Sequence, residues 1–346
     1  MKKAICFIWI LSALTFLSCA AEDDARSKSD DDEKKADGGT LPGADADADS
    51  DSDIDTDSDT DSGSPTGAGC TKMDILFIID DSGSMMEEQT NLANNFPQFI
   101  QVLEDYKTVA NTQLEYRVGV TTTGIKRNFT QIIFGMTIPS ITNGPDGELQ
   151  GLTSCNLGQY PWVDGPGADV ATKFSCMAIV GTSGSGTEMP FGALQLALGE
   201  KMETGGPNEG FYRKDEDSLL VVVIITDEDD CSIENGGTMQ LSLAGGADCS
   251  EEKSEGLYIT EETKAFLDEV AGGEGRYVVV GIAGPGPQSC SSAFGDAIHA
   301  KRVKDLIDMC GDYGVFGDIC SGDLSTALQE ALEVMQVTCD ELPPVE

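Results

Sequence analysis

The sequence predicts a doubly wound α/β domain, with a mostly parallel sheet covered by helices on both faces. Three observations predict it. Runs such as Met73–Ile79 and Leu219–Thr226 are apolar with little alternation, as strands buried on both faces are. They are separated by segments with apolar residues at helical spacing, and strands alternating with helices build parallel sheets. The chain has 346 residues, enough for one large domain or two ordinary ones.

Lys2 and Lys3 precede an apolar run from Ala4 to Leu17 that is too short to span a membrane as a stable helix. Residues 1–19 therefore read as a secretory signal peptide. Two routes fit its end, Phe16-Leu17-Ser18-Cys19-Ala20. The segment resembles a bacterial lipobox, in which Cys19 is the lipidated residue, although Phe16 and Leu17 depart from the usual pattern. Ordinary cleavage after Ala20 also fits, because Ser18 and Ala20 are small. Both routes mean export, and the first adds a membrane anchor.

Residues 20–69 carry 17 acidic and 4 basic side chains and almost no large apolar ones. From Ala44 to Ser62, Asp alternates with Ala, Ser or Thr for most of the length. Such a segment cannot bury enough surface to offset its ordering entropy, and its like charges stretch it. It reads as a disordered acidic spacer. No loop with EF-hand spacing occurs in it.

The folded domain is expected over residues 70–340, with a tail at 341–346. Strands are expected at Met73–Ile79, Leu114–Thr121, Thr130–Phe134, Leu219–Thr226, Tyr277–Ala283 and Gly314–Ile319. Helices are expected at Met85–Tyr106, Met189–Met202, Glu261–Val270, Ala297–Met309 and Leu324–Met335. Pro97 should kink the first helix or mark a later start. Residues 138–175, rich in Gly, Pro and Asn, and residues 231–258 read as insertions.

Eleven cysteines occur, and nine follow the signal: Cys70, Cys155, Cys176, Cys231, Cys249, Cys290, Cys310, Cys320 and Cys339. No Cys-x-x-Cys pair occurs and His299 is the sole histidine, so zinc and haem sites are poor readings and disulfides are better ones. Proximity suggests Cys155–Cys176, Cys231–Cys249 and Cys310–Cys320, with Cys70–Cys339 joining the domain's ends. One thiol is left over.

The net charge is −40, and residues 70–346 alone carry 44 acidic and 15 basic side chains. Nucleic acid is a poor partner for such a surface, whereas cations or basic partners suit it. The chemistry concentrates where apolar strands end in carboxylates. Asp80 ends the first strand, in Asp80-Asp81-Ser82-Gly83-Ser84, and Asp227 ends the strand Leu219–Thr226. Ligands of doubly wound sheets bind at the carboxyl ends of strands, where strand order reverses. If these strands flank that point, the aspartates repel across one crevice and invite a hard cation. Ser82 and Ser84 would add hydroxyl oxygens. Asp80 as a mere helix cap is the plainer reading.

The segment Asp80–Ser84 resembles the first motif of the von Willebrand factor A domain, its metal-ion-dependent adhesion site. Gly186-Thr187 before a helix is similar to the second motif, and Thr226-Asp227 to the third. The likeness covers residues 72–338. It implies that Asp80, Ser82, Ser84, Thr187 and Asp227 hold Mg²⁺, or Mn²⁺ or Ca²⁺, and that a partner's carboxylate fills the last position. The run Asp227-Glu228-Asp229-Asp230-Cys231 departs from the Asp-Gly common in the family, and reads as a second cation site or a solvated stretch. The whole resembles A-domain lipoproteins of Gram-negative bacteria.

The expected function is a binding or adhesion protein of the cell envelope, anchored at the outer membrane and surface-exposed or periplasmic. A periplasmic assembly subunit is the alternative. A hydrolase fits less well, because no Gly-x-Ser-x-Gly motif or phosphate-binding loop with Lys occurs and His299 has no catalytic context.

Overall fold

The computed structural model describes residues 69–345 apart from 242–246, 251 and 323. The signal peptide, Cys19 and residues 20–68 lie outside the described residues.

The chain runs β1 (Lys72–Ile79), α1 (Met86–Asp105), β2 (Glu115–Thr122), β3 (Asn128–Ile133), β4 (Met136–Ile141), β5 (Trp162–Gly165), α2 (Val170–Met177) and α3 (Pro190–Leu198). It continues with β6 (Ser218–Ile225), β7 (Ile233–Leu241), β8 (Ala247–Asp248), β9 (Glu255–Leu257), α4 (Thr260–Ala271) and β10 (Tyr277–Ala283). Then follow β11 (Cys290–Ser292), β12 (Gly295–Ala297), α5 (Lys301–Met309), β13 (Gly314–Asp318) and α6 (Leu324–Asp340).

The main sheet has six strands in the order β13-β10-β6-β1-β2-β5. All its pairings are parallel except β2 with β5. Strand order reverses between β1 and β6, so the switch point of this doubly wound sheet lies between them. Side chains alternate between two cores. Ile75, Phe77, Ile79, Val221, Val223 and Ile225 face the core that α1, α2 and α6 cover. Leu76, Ile78, Leu220, Val222 and Ile224 face the core under α3, α4 and α5. Burial on both faces explains why these strands read as unbroken apolar runs.

Three sequence expectations are corrected. The segment around Thr130 joins no main-sheet strand. As β3 it belongs to a second sheet, ordered β4-β3-β7-β8 with β9 beside β7, in which the hairpin β3–β4 pairs with the strands of the 231–258 insertion. The third strand on that side of the main sheet is β5, inside the stretch read as an insertion. It is a short edge strand, and its Gly165 lies opposite Tyr116, whose ring occupies the place a Cβ would take. The helix expected from Ala297 begins at Lys301, because Gly295–Ala297 pairs as β12, and His299 lies before the helix against Gly286. Pro97 does not delay α1. It sits on the exposed face, where water can reach the carbonyl that its ring leaves without a donor.

Four disulfides form: Cys70–Cys339, Cys155–Cys176, Cys231–Cys249 and Cys290–Cys320. Cys310 is the free thiol, so the expected Cys310–Cys320 bridge is absent. The two lie on opposite sides of the sheet. Cys310 is buried under α5 and donates to the Leu306 carbonyl at 3.2 Å, while Cys290 and Cys320 pack against the other core. Among the described residues, no helix is long and apolar enough to cross a membrane.

Candidate metal centre

Asp80 and Asp227 stand at the carboxyl ends of β1 and β6, on either side of the switch point. Asp80 is fully buried. One of its oxygens accepts from the Ser82 amide at 2.7 Å, and the other accepts from the Thr226 hydroxyl at 2.7 Å. It does not cap α1, whose N-cap position is Met85. The hydroxyls of Ser82 and Ser84 are 3.0 Å apart, and the charge of Asp227 acts on Asp80. Three of the five expected ligands, Asp80, Ser82 and Ser84, are thus joined by direct hydrogen bonds. Thr187 is buried and makes no hydrogen bond to the other four expected ligands among the described residues, although the charge of Asp80 acts on its neighbour Glu188.

Backbone contacts lock three loops into one rim. The Gly184 amide donates to the Asp81 carbonyl at 2.7 Å, and the Cys231 amide to the Glu188 carbonyl at 2.7 Å. Gln89 ties α1 to both sides, donating to the carbonyls of Asp80 and Gly181 and accepting from the Gly181 amide. Gln89 and Glu88 escaped the sequence reading. They lie three and four residues before Leu92, so helical spacing already put both on the buried face of α1. Thr226, expected as a strand end and as the residue before the nominated Asp227, orients Asp80 and accepts from the Glu228 amide at 3.1 Å.

The crevice holds more carboxylates than donors. Both oxygens of Glu88, both of Glu188, and one each of Asp81 and Asp227 are buried and meet no donor among the described residues. Burial pushes Asp80 up to about 7, helped by the charge of Asp227. Burial, with Asp80 and Glu228 nearby, pushes Glu188 up to about 11. Asp227 is raised by burial as well. Buried acceptors of this kind are ordinarily satisfied, and unpaired like charges gathered in one crevice call for a cation. The donors are all carboxylate and hydroxyl oxygens, the set that hard divalent ions take. The residues present therefore fit such an ion.

The rest of the third loop is neither solvated nor a cation site. Asp229 accepts from the amides of Asp230, Arg302 and Val303, fixing the start of α5. Asp230 accepts from the Phe191 amide at the start of α3, from Ser232, and from the Arg302 guanidinium. Cys290, Cys320 and Asp318 form a cluster of metal-binding residue types, but the disulfide takes both sulfurs.

No family model matches the chain, and no curated protein matches it. Solved structures do. Proximal thread matrix protein 1 from the mussel byssus is 13% identical over 78% of this chain and 49% of its own, with a TM-score of 0.40. A second structure of that protein, with a zinc-occupied MIDAS motif, is 14% identical with a TM-score of 0.39. The pilus adhesin SpaC from Lactobacillus rhamnosus GG is 12% identical over 78% of this chain and 30% of its own, with a TM-score of 0.36. The chain thus spans half or less of the length of each, and likenesses this distant carry no function across.

Proposed function

We propose that the chain is an exported binding module of the A-domain type, whose crevice at the sheet's switch point docks a partner through a divalent cation. One observation carries the reading: buried, donor-poor carboxylates lie with Ser82 and Ser84 at the carboxyl ends of the paired strands β1 and β6. Asp80, Ser82, Ser84, Thr187 and Asp227 would hold the ion, Mg²⁺ by preference, which when bound supplies a Lewis-acidic position for a carboxylate of the partner.

The chain's own residues do the rest. Thr226 and the Ser82 amide fix both oxygens of Asp80, so the ligand set is oriented in advance. Gln89 holds the first and second loops at a constant spacing. Asp229 and Asp230 pin α5 and α3 beneath the third loop. The 231–258 insertion joins the hairpin β3–β4 in the second sheet, next to Cys231 and its disulfide, where loops on a rigid scaffold set specificity. With an acidic spacer ahead of it, such a module would be presented away from the envelope surface, and a lipid on Cys19 would anchor it at the outer membrane.

Affinity capture from envelope fractions tests the reading. A partner retained in Mg²⁺, released by chelator and not retained by Asp80→Ala supports it. A partner bound equally well in chelator contradicts it.

A further inference from the structure

The loop ahead of β5 carries none of the metal centre's residues and differs in kind from the rest of the chain. From Leu149 to Val163 no side chain is charged, in a chain whose net charge is −40. The loop is fastened at two points. The Gln150 amide donates to the Val120 carbonyl at 2.7 Å, and the Cys155–Cys176 disulfide ties the turn Thr153–Cys155 to α2. Val120 lies near the carboxyl end of β2, whose Thr122 pairs with Ile79 of β1. The loop therefore stands at the same end of the main sheet as Asp80 and Asp227.

A cavity of about 480 Å³ opens in this loop, a size within the range of small-molecule sites. Tyr160 forms one wall. Its ring stacks on Trp162, with centroids 4.6 Å apart and planes 12° apart. Trp162 is 3% exposed, packs against Phe211 and donates from its indole N–H to Asp164 at 3.3 Å. Tyr160 itself is 48% exposed, so one face of its ring rests on the buried indole and the other meets water. The aromatic plate is thus held in place before any ligand arrives. Thr153, Asn156 and Gln159 also line the cavity, a hydroxyl and two amides whose side chains make no hydrogen bond among the described residues. Leu152 and Pro161 add apolar surface.

We propose that this cavity binds a neutral sugar ring of a glycan, stacked on Tyr160. One face of a pyranose presents C–H groups with a small positive charge, the complement of the negative face of an aromatic ring. Its hydroxyls both donate and accept, as the side chains of Thr153, Asn156 and Gln159 can in return. The lack of charge selects against other ligands. A nucleobase would stack as well, but no basic side chain lines the cavity to offset its phosphate. A basic peptide, which the rest of this acidic chain attracts, finds no carboxylate there. The site stands without the metal centre, and it adds to the proposed function a contact of different chemistry at the same end of the sheet.

Trp162 is the only tryptophan after Trp9, which lies in the expected signal peptide, so its fluorescence reports on the ring stacked over it. The test titrates neutral tetrasaccharides of α-linked glucose, β-linked glucose, mannose and N-acetylglucosamine into the full exported chain. Titration to about 10 mM nearly fills a site of about 1 mM affinity. The expected result is a saturable change in Trp162 fluorescence with at least one of these sugars, unaltered by chelator and by Asp80→Ala. By calorimetry, Tyr160→Ala should bind that sugar at least about tenfold more weakly and Gln159→Ala about threefold more weakly. Tyr160→Phe keeps the ring and should bind within about twofold of wild type. Tyr160 is exposed, so its truncation leaves the core intact. Saturation with none of the sugars, or undiminished binding by Tyr160→Ala, overturns the site. Binding that Tyr160→Ala keeps but chelator and Asp80→Ala abolish puts the sugar on the metal centre, which overturns this site and leaves the proposed function standing.

Discussion

Asp227 and Asp230 lie three residues apart on one loop, both are buried, and the fold treats them oppositely. Asp230 is met on every side: the Phe191 amide at 2.9 Å, the Ser232 hydroxyl at 2.6 Å and amide at 3.2 Å, and Arg302 at 3.2 Å. Asp227 keeps one oxygen with no donor among the described residues, as do its neighbours across the crevice, Glu88, Glu188 and Asp81. The chain can therefore satisfy a buried carboxylate completely where the carboxylate is a brace. Where it leaves several unsatisfied together, the proposed ion would be their partner.

The contrast can be broken most forcefully at the brace. Asp230→Ala leaves Arg302 buried without its carboxylate and the start of α3 without its acceptor. Removing one partner of a buried pair costs about 3–5 kcal/mol, so denaturant unfolding should show a loss of that size, with or without Mg²⁺. A loss under 1 kcal/mol would make the brace ordinary.

At the crevice the expected effect comes from the ion. Mg²⁺ at a hundred times its dissociation constant should stabilise the wild type by about 2.7 kcal/mol, read as a rise in melting temperature that chelator reverses. A melting temperature indifferent to chelator would remove the contrast.

A smaller change has the opposite sign. Asp227→Asn trades an unpaired buried charge for an amide that can donate to the acids around it. In chelator the variant should be more stable than wild type by about 1 kcal/mol, the usual scale for relieving an unsatisfied buried group. It should also gain nothing from Mg²⁺. Destabilisation in chelator would mean that Asp227 is a brace like Asp230.

Cys310 shows what burial alone does to an ionisable group. Burial pushes its thiol up to about 12, so at pH 9, where an open thiol with a pKa of about 8.5 is mostly thiolate, Cys310 stays protonated. Peptide mapping after alkylation at that pH should find Cys310 unmodified in the native protein and modified once it is unfolded. Labelling of the native protein would show the α4–α5 core to be open.

Much of the frame was legible in the chain. The apolar runs place β1, β6 and β10 to within a residue, because central strands buried twice leave no polar alternation to blur their ends. Asp80 and Asp227 follow from them, since a strand's last residue is fixed once the strand is. Two of the four disulfides follow from proximity and a third, Cys70–Cys339, from its bracketing the domain, but Cys310 and Cys320, ten residues apart, are divided by the sheet itself, which spacing does not reveal. The edge strand β5 and the second sheet were illegible for a related reason. Edge and insertion strands are half exposed and short, and their pairing depends on contacts far along the chain. The run Asp227–Asp230 looked uniform. Donors such as the Phe191 amide and Arg302, tens of residues away along the chain, separate Asp230 from Asp227.

The central claim is that the unsatisfied acids at the switch point exist to hold a divalent ion, and the Mg²⁺ titration of wild type against Asp80→Ala tests it most directly. The account predicts a saturable binding heat in wild type and none in the variant. Equal heats in the two, or no heat in either, would contradict it.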